Sequence, residues 1–379
     1  MTYQSCPQVA PDVEAMSRLG GHANSPQNIQ RDLITQLGEL STPIATEVEA
    51  PIVQKVDGVS VTTMHPISVF LPHDWFAAIS KCGLMELVFG ASSSNLMDFW
   101  GQVKTNDPRM LQNPMKDVPG WKELFIPFYF HGDAAPHQKH DSVDCDSFRS
   151  LLAQLSIDIA MLLLSALPCA CKASKKRSDE EKINFLGNTE EHLGAHFVWS
   201  WNAVFEGRHP EVDVDGKPFP EDSHRASVAG QYLDPVNNFR GIIWVSPADN
   251  DHNSKKYGLP HYASKEPCMD CPCNTTDVPW NDFSSKALWK QCVFSPEDKL
   301  RWPPTDNWLL QIKGFSPSTF CFDPMHCLEI GPAGTAVANV FFDLTYKEYN
   351  GLKMKTIERL NKEVHEAYDG LGIFENRIG

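Results

Sequence analysis

Two aspartates each follow an apolar stretch that is typical of a buried strand. Asp133 comes after residues 124–130, and Asp249 comes after residues 239–245. Carboxylates at the ends of neighbouring strands in an α/β sheet can converge outside its edge, where they bind Mg²⁺ or Mn²⁺. A pair of such ions activates a water or hydroxyl and stabilises the leaving oxygen in phosphoryl transfer. Asp251 is an alternative ligand to Asp249, and a simple turn role stays open for both aspartates.

A second pattern is Cys268-x-x-Cys271, whose spacing lets two thiolates bind one Zn²⁺ at tetrahedral angles. We predict a structural zinc site here, with a redox pair or no site as the alternatives. Cys273 is treated as a spare thiol. The remaining zinc ligands are sought among Asp323, His326, Cys321, Cys327, His252 and His261.

The stretch Asp323-Pro324-Met325-His326 is compatible with either of two roles. A helix N-terminus explains it, with Asp323 as the cap and Pro324 in the first helical position. His326 would then lie in the first turn. A capping aspartate and a metal-ligating histidine are compatible, so both residues stay metal candidates.

Composition limits the classes of function. The 379 residues are 42% hydrophobic, which is enough for a sizeable core, and the net charge is −15. That charge argues against nucleic-acid binding by the whole surface, because phosphate binding depends on Lys and Arg. The one short basic cluster, which a solvated loop would also explain, is Lys172, Lys175, Lys176 and Arg177.

Location and redox state follow from similar signals. No secretory leader is visible, and the longest apolar run, 157–168, is too short to span a bilayer. We therefore expect no membrane partner and an intracellular protein. In that setting the 11 cysteines predict metal ligands rather than a disulfide framework.

The chain is expected to have four regions. Residues 1–60 are polar and predicted to be mostly disordered, and 61–120 form a small helical lead-in. Residues 121–257 form an α/β core, and 258–379 form a Cys/His insertion followed by helices. The predicted helices cover 74–87, 96–102, 193–205, 328–342 and 354–368.

Four motifs, in order, resemble the catalytic core of DDE/D cut-and-paste DNA transposases of the CACTA and KDZ kind. The segment 128–136, FYFHGDAAP, resembles their first-aspartate motif. The segment 241–251, GIIWVSPADND, with 257–261, YGLPH, looks like their second-aspartate strand and the stretch after it.

The two later motifs are similar to signatures of the same family. Cys268-x-x-Cys271 is similar to its C-x2-C signature, and Asp323-x-x-His326 to its (C or D)-x2-H signature. The region 200–218 also resembles transposon-derived open reading frames of protists. The resemblance covers about residues 60–345.

What the resemblance implies is an RNase H-like fold, an α/β mixed sheet flanked by helices with a zinc-stabilised insertion. Asp133 and Asp249 would be the catalytic residues, binding Mg²⁺ or Mn²⁺ for cleavage and transfer of DNA strands. Zn²⁺ would be bound by Cys268, Cys271, Asp323 and His326. The resemblance further implies DNA at transposon ends as the partner and a nuclear location, and it allows a homodimer.

The family completes its site with a glutamate on a later helix. Glu329 and Glu363 lie downstream in contexts that do not match that helix. We therefore expect the third carboxylate past Gly379, in a truncated or decayed element.

Two other hypotheses stay open. One is a non-catalytic, zinc-stabilised interaction protein descended from a transposase. The other is an unrelated metal-dependent hydrolase that uses His131, Asp133 and His137.

Overall fold

The computed structural model of the chain describes residues 43–138, 141–156, 160–173, 188–261, 263–282, 284–299 and 307–323, with the single positions 335, 336, 339, 340 and 362. The chain divides into two units, Met1–Cys321 and Phe322–Gly379. Several predicted features lie outside the described residues: His326, Cys327, Glu329, Glu363, the basic residues 175–177 and nearly all of the helices 328–342 and 354–368.

The described part of the chain contains both strands and helices. The strands are β1 Thr46–Val56, β2 Val59–Val69, β3 Phe125–Gln138, β4 Asp141–Ser150, β5 Leu162–Pro168, β6 Arg240–Ala248 and β7 Phe320–Phe322. The helices are α1 Pro72–Lys81, α2 Met85–Phe89, α3 Ser93–Gln102, α4 Trp121–Leu124, α5 Thr189–Glu206, α6 His224–Val228, α7 Asn250–Tyr257, α8 Leu288–Gln291 and α9 Pro296–Lys299.

A mixed five-stranded sheet forms the centre of the first unit, in the order β5-β4-β3-β6-β7. Strands β3, β4 and β5 form antiparallel pairs, whereas β6 runs parallel to β3. A parallel neighbour requires a long crossover, and helix α5 lies within that connection. The predicted α/β class, with a mixed sheet flanked by helices, is therefore confirmed.

The core on one side of the sheet is aromatic. Phe128 of β3 contacts Phe89 of α2, Phe148 of β4 and Trp201 of α5, with ring centroids 5.1, 5.4 and 5.6 Å away. Edge-to-face and tilted pairs of this kind each contribute about 0.5–1.5 kcal/mol beyond the burial of their area. The helix predicted at 193–205 is observed as α5, which ends at Gly207 in the left-handed conformation.

Residues 46–60 are ordered, although the region 1–60 was predicted to be mostly disordered; residues 1–42 lie outside the described residues. Strands β1 and β2 form an antiparallel hairpin over this region. Its turn is Asp57-Gly58, and both residues have positive φ, as a tight two-residue hairpin turn requires. The polar composition concealed the strands, because Val48 and Ala50 are fully buried while Glu49 between them is exposed.

The lead-in also differs in detail from the prediction. The helix expected over 74–87 is divided into α1 and α2 by Gly83, which has a φ of 70°. Asp74 does not cap α1; it pairs with Arg225, with 2.8 Å between Oδ2 and Nη2. A glycine at positive φ readily ends a helix. The apolar periodicity of the sequence continues past Gly83, so it did not show where the first helix ends.

Candidate functional site

Asp133 lies within strand β3 rather than in a turn after it. The expected turn at residues 131–133 is wrong, because β3 continues to Gln138 and Asp133 pairs with Cys145 of β4. The Asp133 side chain is exposed, and its Oδ1 accepts a hydrogen bond from the backbone N–H of Ala134 at 2.7 Å.

Asp249 comes directly after β6, as predicted, but it begins a helix instead of a turn. It is the N-cap of α7, and its Oδ1 accepts the backbone N–H of His252 at 2.5 Å. The competing candidate Asp251 is exposed in the first turn and pairs with Lys255, with 2.6 Å between Oδ2 and Nζ. Asp249 is therefore the aspartate held at the strand end.

The parallel pairing of β3 with β6 is observed as far as Tyr129 and Val245. Tyr129 of β3 pairs with Val245 of β6 in the parallel register, and four residues further along each chain lie the two aspartates. Midway, His131 Nδ1 lies 3.4 Å from the carbonyl oxygen of Pro247, so the two segments still run side by side there.

The two faces of β3 differ at this level. A Cβ atom placed on Gly132 would lie 2.5 Å from His252 Nε2 and 2.9 Å from Tyr257 Oη, so Gly132 faces α7. Successive strand residues point to opposite faces, so Asp133 points away from that helix. Helix α7 can thus pack closely on β3 while the Asp133 carboxylate stays exposed.

Beneath Gly132 lies a buried group of charged side chains that the sequence did not suggest. Lys256 Nζ of α7 lies 2.6 Å from Asp146 Oδ1, 3.2 Å from Asp144 Oδ2 and 3.7 Å from Glu190 Oε2. Lys172 binds Asp144 and Glu190 as well, so it belongs to an ion-pair network and not to a solvated loop. We call these five residues the carboxylate–lysine cluster.

Electrostatics favour the charged forms of Lys256 and Asp144. Burial alone would lower the pKa of Lys256, but Asp146, Glu190 and Asp144 outweigh it and raise that pKa well above its ordinary value. Burial alone would raise the pKa of Asp144, but Lys256 and Lys172 outweigh it and lower that pKa to about 2. The ammonium groups are therefore the cations that these carboxylates bind at neutral pH.

His252, beside the cluster, is neutral at physiological pH. Burial first, and then the charge of Lys256, lowers its pKa to about 4. Its buried Nε2 has no hydrogen-bond partner among the described residues. It had been a zinc candidate, but it lies against Gly132 of the sheet and is absent from the cysteine group described next.

Three cysteine sulfurs come together in the irregular segment after α7. The Sγ atoms of Cys268, Cys271 and Cys273 lie within 4.8 Å of one another, and Cys271 and Cys273 are buried. Among the described residues this is the only group of three or more His, Cys, Asp or Glu side chains close enough to bind one metal ion. Cys273 is therefore not a spare thiol, and its C-x-C spacing from Cys271 was the signal that could have identified it.

Local contacts hold the cysteine loop in place. The backbone N–H of Asp270 donates to Cys268 Sγ at 3.3 Å, and the N–H of Phe294 donates to the Asp270 carbonyl at 2.8 Å. Lys299 of α9 pairs with the Asp270 carboxylate. Burial raises the pKa of all three thiols, so metal binding has to displace their protons.

The ligand candidates His261 and Cys321, which are described and belong to the first unit, are not members of the cysteine group. His326 and Cys327 lie outside the described residues, and Asp323 belongs to the second unit of the chain. For the hydrolase hypothesis, His131 lies between Tyr129 Oη, 3.5 Å away, and the Pro247 carbonyl, and the side chain of His137 lies outside the description.

No protein-family model and no curated protein sequence matches this chain. None of the helices in the described part of the chain has both the length and the apolarity that crossing a membrane requires.

Proposed function

We propose that this chain is the catalytic core of a DNA transposase with an RNase H-like fold, and that it uses divalent metal for DNA strand cleavage and transfer. One observation carries the proposal. Asp133 and Asp249 each come four residues after Tyr129 and Val245, which pair between the neighbouring parallel strands β3 and β6. The mixed sheet flanked by helices, the architecture that the transposase resemblance implies, supports it.

The donor groups at this edge fit Mg²⁺ or Mn²⁺. Both candidates are carboxylates, and hard cations that keep several waters prefer oxygen ligands with access to solvent. The described hydrogen bonds use only Oδ1 of Asp133 and Oδ1 of Asp249. A bound metal would supply charge neutralisation and an activated water, while the chain's own contribution is to fix the two carboxylates.

The cysteine group fits a structural Zn²⁺ site. Three converging thiol sulfurs provide soft ligands of the kind that zinc prefers, and the segment around them has little regular structure. In this proposal Cys268, Cys271 and Cys273 supply three ligands. The zinc then stabilises the insertion and takes no part in the chemistry.

Strand nicking tests the catalytic proposal. Purified protein is incubated with supercoiled plasmid and with a labelled duplex in Mg²⁺ or Mn²⁺, beside the Asp133→Asn and Asp249→Asn variants. Asparagine keeps the N-cap of α7 but is a poor ligand for a hard cation, so Asp249→Asn separates metal binding from folding. Asp251→Asn is the matched control.

We expect metal-dependent nicking by the wild type and by Asp251→Asn, and its loss in the other two variants. Nicking that persists in both Asp133→Asn and Asp249→Asn contradicts the proposal.

The second candidate function is a zinc-stabilised interaction protein without catalysis. It is favoured by the net charge of −15, which opposes DNA binding, together with the cysteine group. A protein that binds one zinc ion, gains stability from it and shows neither Mn²⁺ binding nor nicking would support this candidate instead.

A further inference from the structure

The carboxylate–lysine cluster joins three elements at one point. Asp144 and Asp146 belong to β4, Glu190 to the first turn of α5, and Lys256 to the last turn of α7. The Lys256 side chain is 4% exposed, as is that of Asp146. A lysine this deeply buried loses hydration worth several kcal/mol, which only well-placed carboxylates offset.

Helix α7 is held on the sheet largely by polar residues, of which His252 and Asn253 are buried, as is the side chain of Lys256. Its sequence, NDHNSKKY, is polar, with a single large apolar side chain at Tyr257. It has only eight residues, so it is about 12 Å long. A helix this short moves as one body, so fixing its last turn also fixes the residue that caps its first turn.

That capping residue is Asp249. Its Oδ1 accepts the N–H of His252, and Asn253 Nδ2 donates to the Ala248 carbonyl at 3.0 Å, so the first turn of α7 is bonded to the end of β6. The absence of a side chain at Gly132 lets His252 and Tyr257 approach β3. A chain of contacts thus runs from Lys256 through α7 to Asp249.

We infer that Lys256 is a positioning residue: bound by Asp144, Asp146 and Glu190, it holds helix α7 on the sheet and so fixes Asp249, the N-cap of that helix, at the end of β6. This inference rests on the proposed function where it treats Asp249 as a metal ligand. The contacts that link Lys256 to Asp249 through helix α7 do not depend on that function. The cluster is not itself a metal site, because among the described residues its carboxylates and His252 do not form a group that could hold one ion.

The matched pair for the test is Lys256→Met and Lys255→Met. Both remove a lysine from α7, but Lys255 is exposed and pairs along the helix with Asp251, outside the carboxylate–lysine cluster. Amide exchange is measured at the His252 N–H, whose acceptor is Asp249 Oδ1. Mn²⁺ affinity is measured in the same samples by electron paramagnetic resonance titration.

We expect Lys256→Met to speed exchange at the His252 amide more than at the amides of β3, and to weaken Mn²⁺ binding about 10-fold to 100-fold, as loss of an outer-shell partner of a metal ligand does. Lys256→Arg keeps the charge and should restore most of the affinity. Lys255→Met should match the wild type in both measurements.

Lys256→Met leaves the three carboxylates with Lys172 as their single lysine, which can prevent folding. If the Lys256→Met protein fails to fold, Glu190→Gln is the variant to use. That change removes the carboxylate farthest from Lys256 and is expected to raise exchange at the same amide by a smaller factor. Unchanged exchange at His252 in both variants overturns the inference. A wild type that binds no Mn²⁺ contradicts the proposed function alone, because the exchange measurement still tests the coupling.

Discussion

The protonation and hydrogen bonding of single residues in this protein depend on the groups buried beside them. His73 is fully buried between Ser200, whose Oγ lies 2.7 Å from Nδ1, and Arg225, whose Nη1 lies 2.7 Å from Nε2. Because Arg225 donates to Nε2, the proton of the neutral ring is on Nδ1 and points to Ser200. His73 therefore cannot act as a base toward Ser200, and this Ser–His pair is structural.

The buried His73 predicts acid sensitivity. Burial first, with a contribution from Arg225, lowers its pKa from 6.5 to about 3. Between these values the unfolded chain binds a proton that the folded protein does not, so stability falls as the pH falls below 6.5. His252 acts in the same direction down to about pH 4, whereas Asp144 loses its contribution only below 3.8.

We expect the free energy of unfolding to fall by on the order of 2–3 kcal/mol per buried histidine between pH 7 and pH 4.5. Urea unfolding at both pH values, in the wild type and in His73→Gln, measures it. The variant should lose less stability on acidification than the wild type, and an equal loss in both proteins would show that His73 is not responsible.

Cys273 is a metal-ligand candidate that the spacing of the Cys268-x-x-Cys271 motif alone did not identify. The C-x-x-C pair was visible in the sequence, but the third sulfur joins it only because the chain turns back within two residues. We predict that Cys273→Ser weakens zinc binding by about 3 kcal/mol, roughly 100-fold, since structural zinc binding of about 10–16 kcal/mol is shared among four ligands.

Competition with a chromogenic chelator measures that affinity, and chelation should lower the thermal stability of the wild type. Cys292→Ser is the control, because Cys292 is exposed and outside the group. If both variants bind zinc like the wild type, Cys273 is not a ligand.

At the scale of elements, the sequence predicted the strands and helices that have a regular pattern of apolar residues. The buried strands β3 and β6 and helix α5 were identified because their apolar residues repeat at strand or helix spacing. Helix α7 was missed, because NDHNSKKY has no apolar stripe and is held by its cap and by Lys256. The end of β3 was misplaced for a similar reason: Asp133 and its neighbours favour a turn, and only pairing with β4 keeps them extended.

Packing of α7 against β3 gives a prediction at this scale. A methyl group on Gly132 would meet His252 Nε2 at 2.5 Å, so Gly132→Ala should destabilise the protein by about 1–3 kcal/mol through overpacking. Gly101 in α3 is exposed with open space around it, so Gly101→Ala should stabilise by about 0.5–1 kcal/mol. Thermal unfolding compares the two, and a Gly132→Ala protein as stable as Gly101→Ala would contradict this packing.

At the scale of the whole molecule, composition and fold point in different directions. The net charge of −15 opposes binding to DNA, whereas Asp133 and Asp249 each lie four residues beyond a paired position of the neighbouring strands β3 and β6. Composition predicted a large core, and the sharing of a metal by the two aspartates stays a prediction. The carboxylate–lysine cluster could not be predicted, because its members come from positions 144–256 and meet only after folding.

The most direct test of the central claim is a Mn²⁺ titration followed by electron paramagnetic resonance, on the wild type and the Asp133→Asn, Asp249→Asn and Asp251→Asn variants. We predict saturable binding in the wild type and in Asp251→Asn, and its loss in each of the other two variants while their thermal stability is retained. Wild-type affinity for Mn²⁺ in both Asp133→Asn and Asp249→Asn would show that these aspartates do not share a metal site.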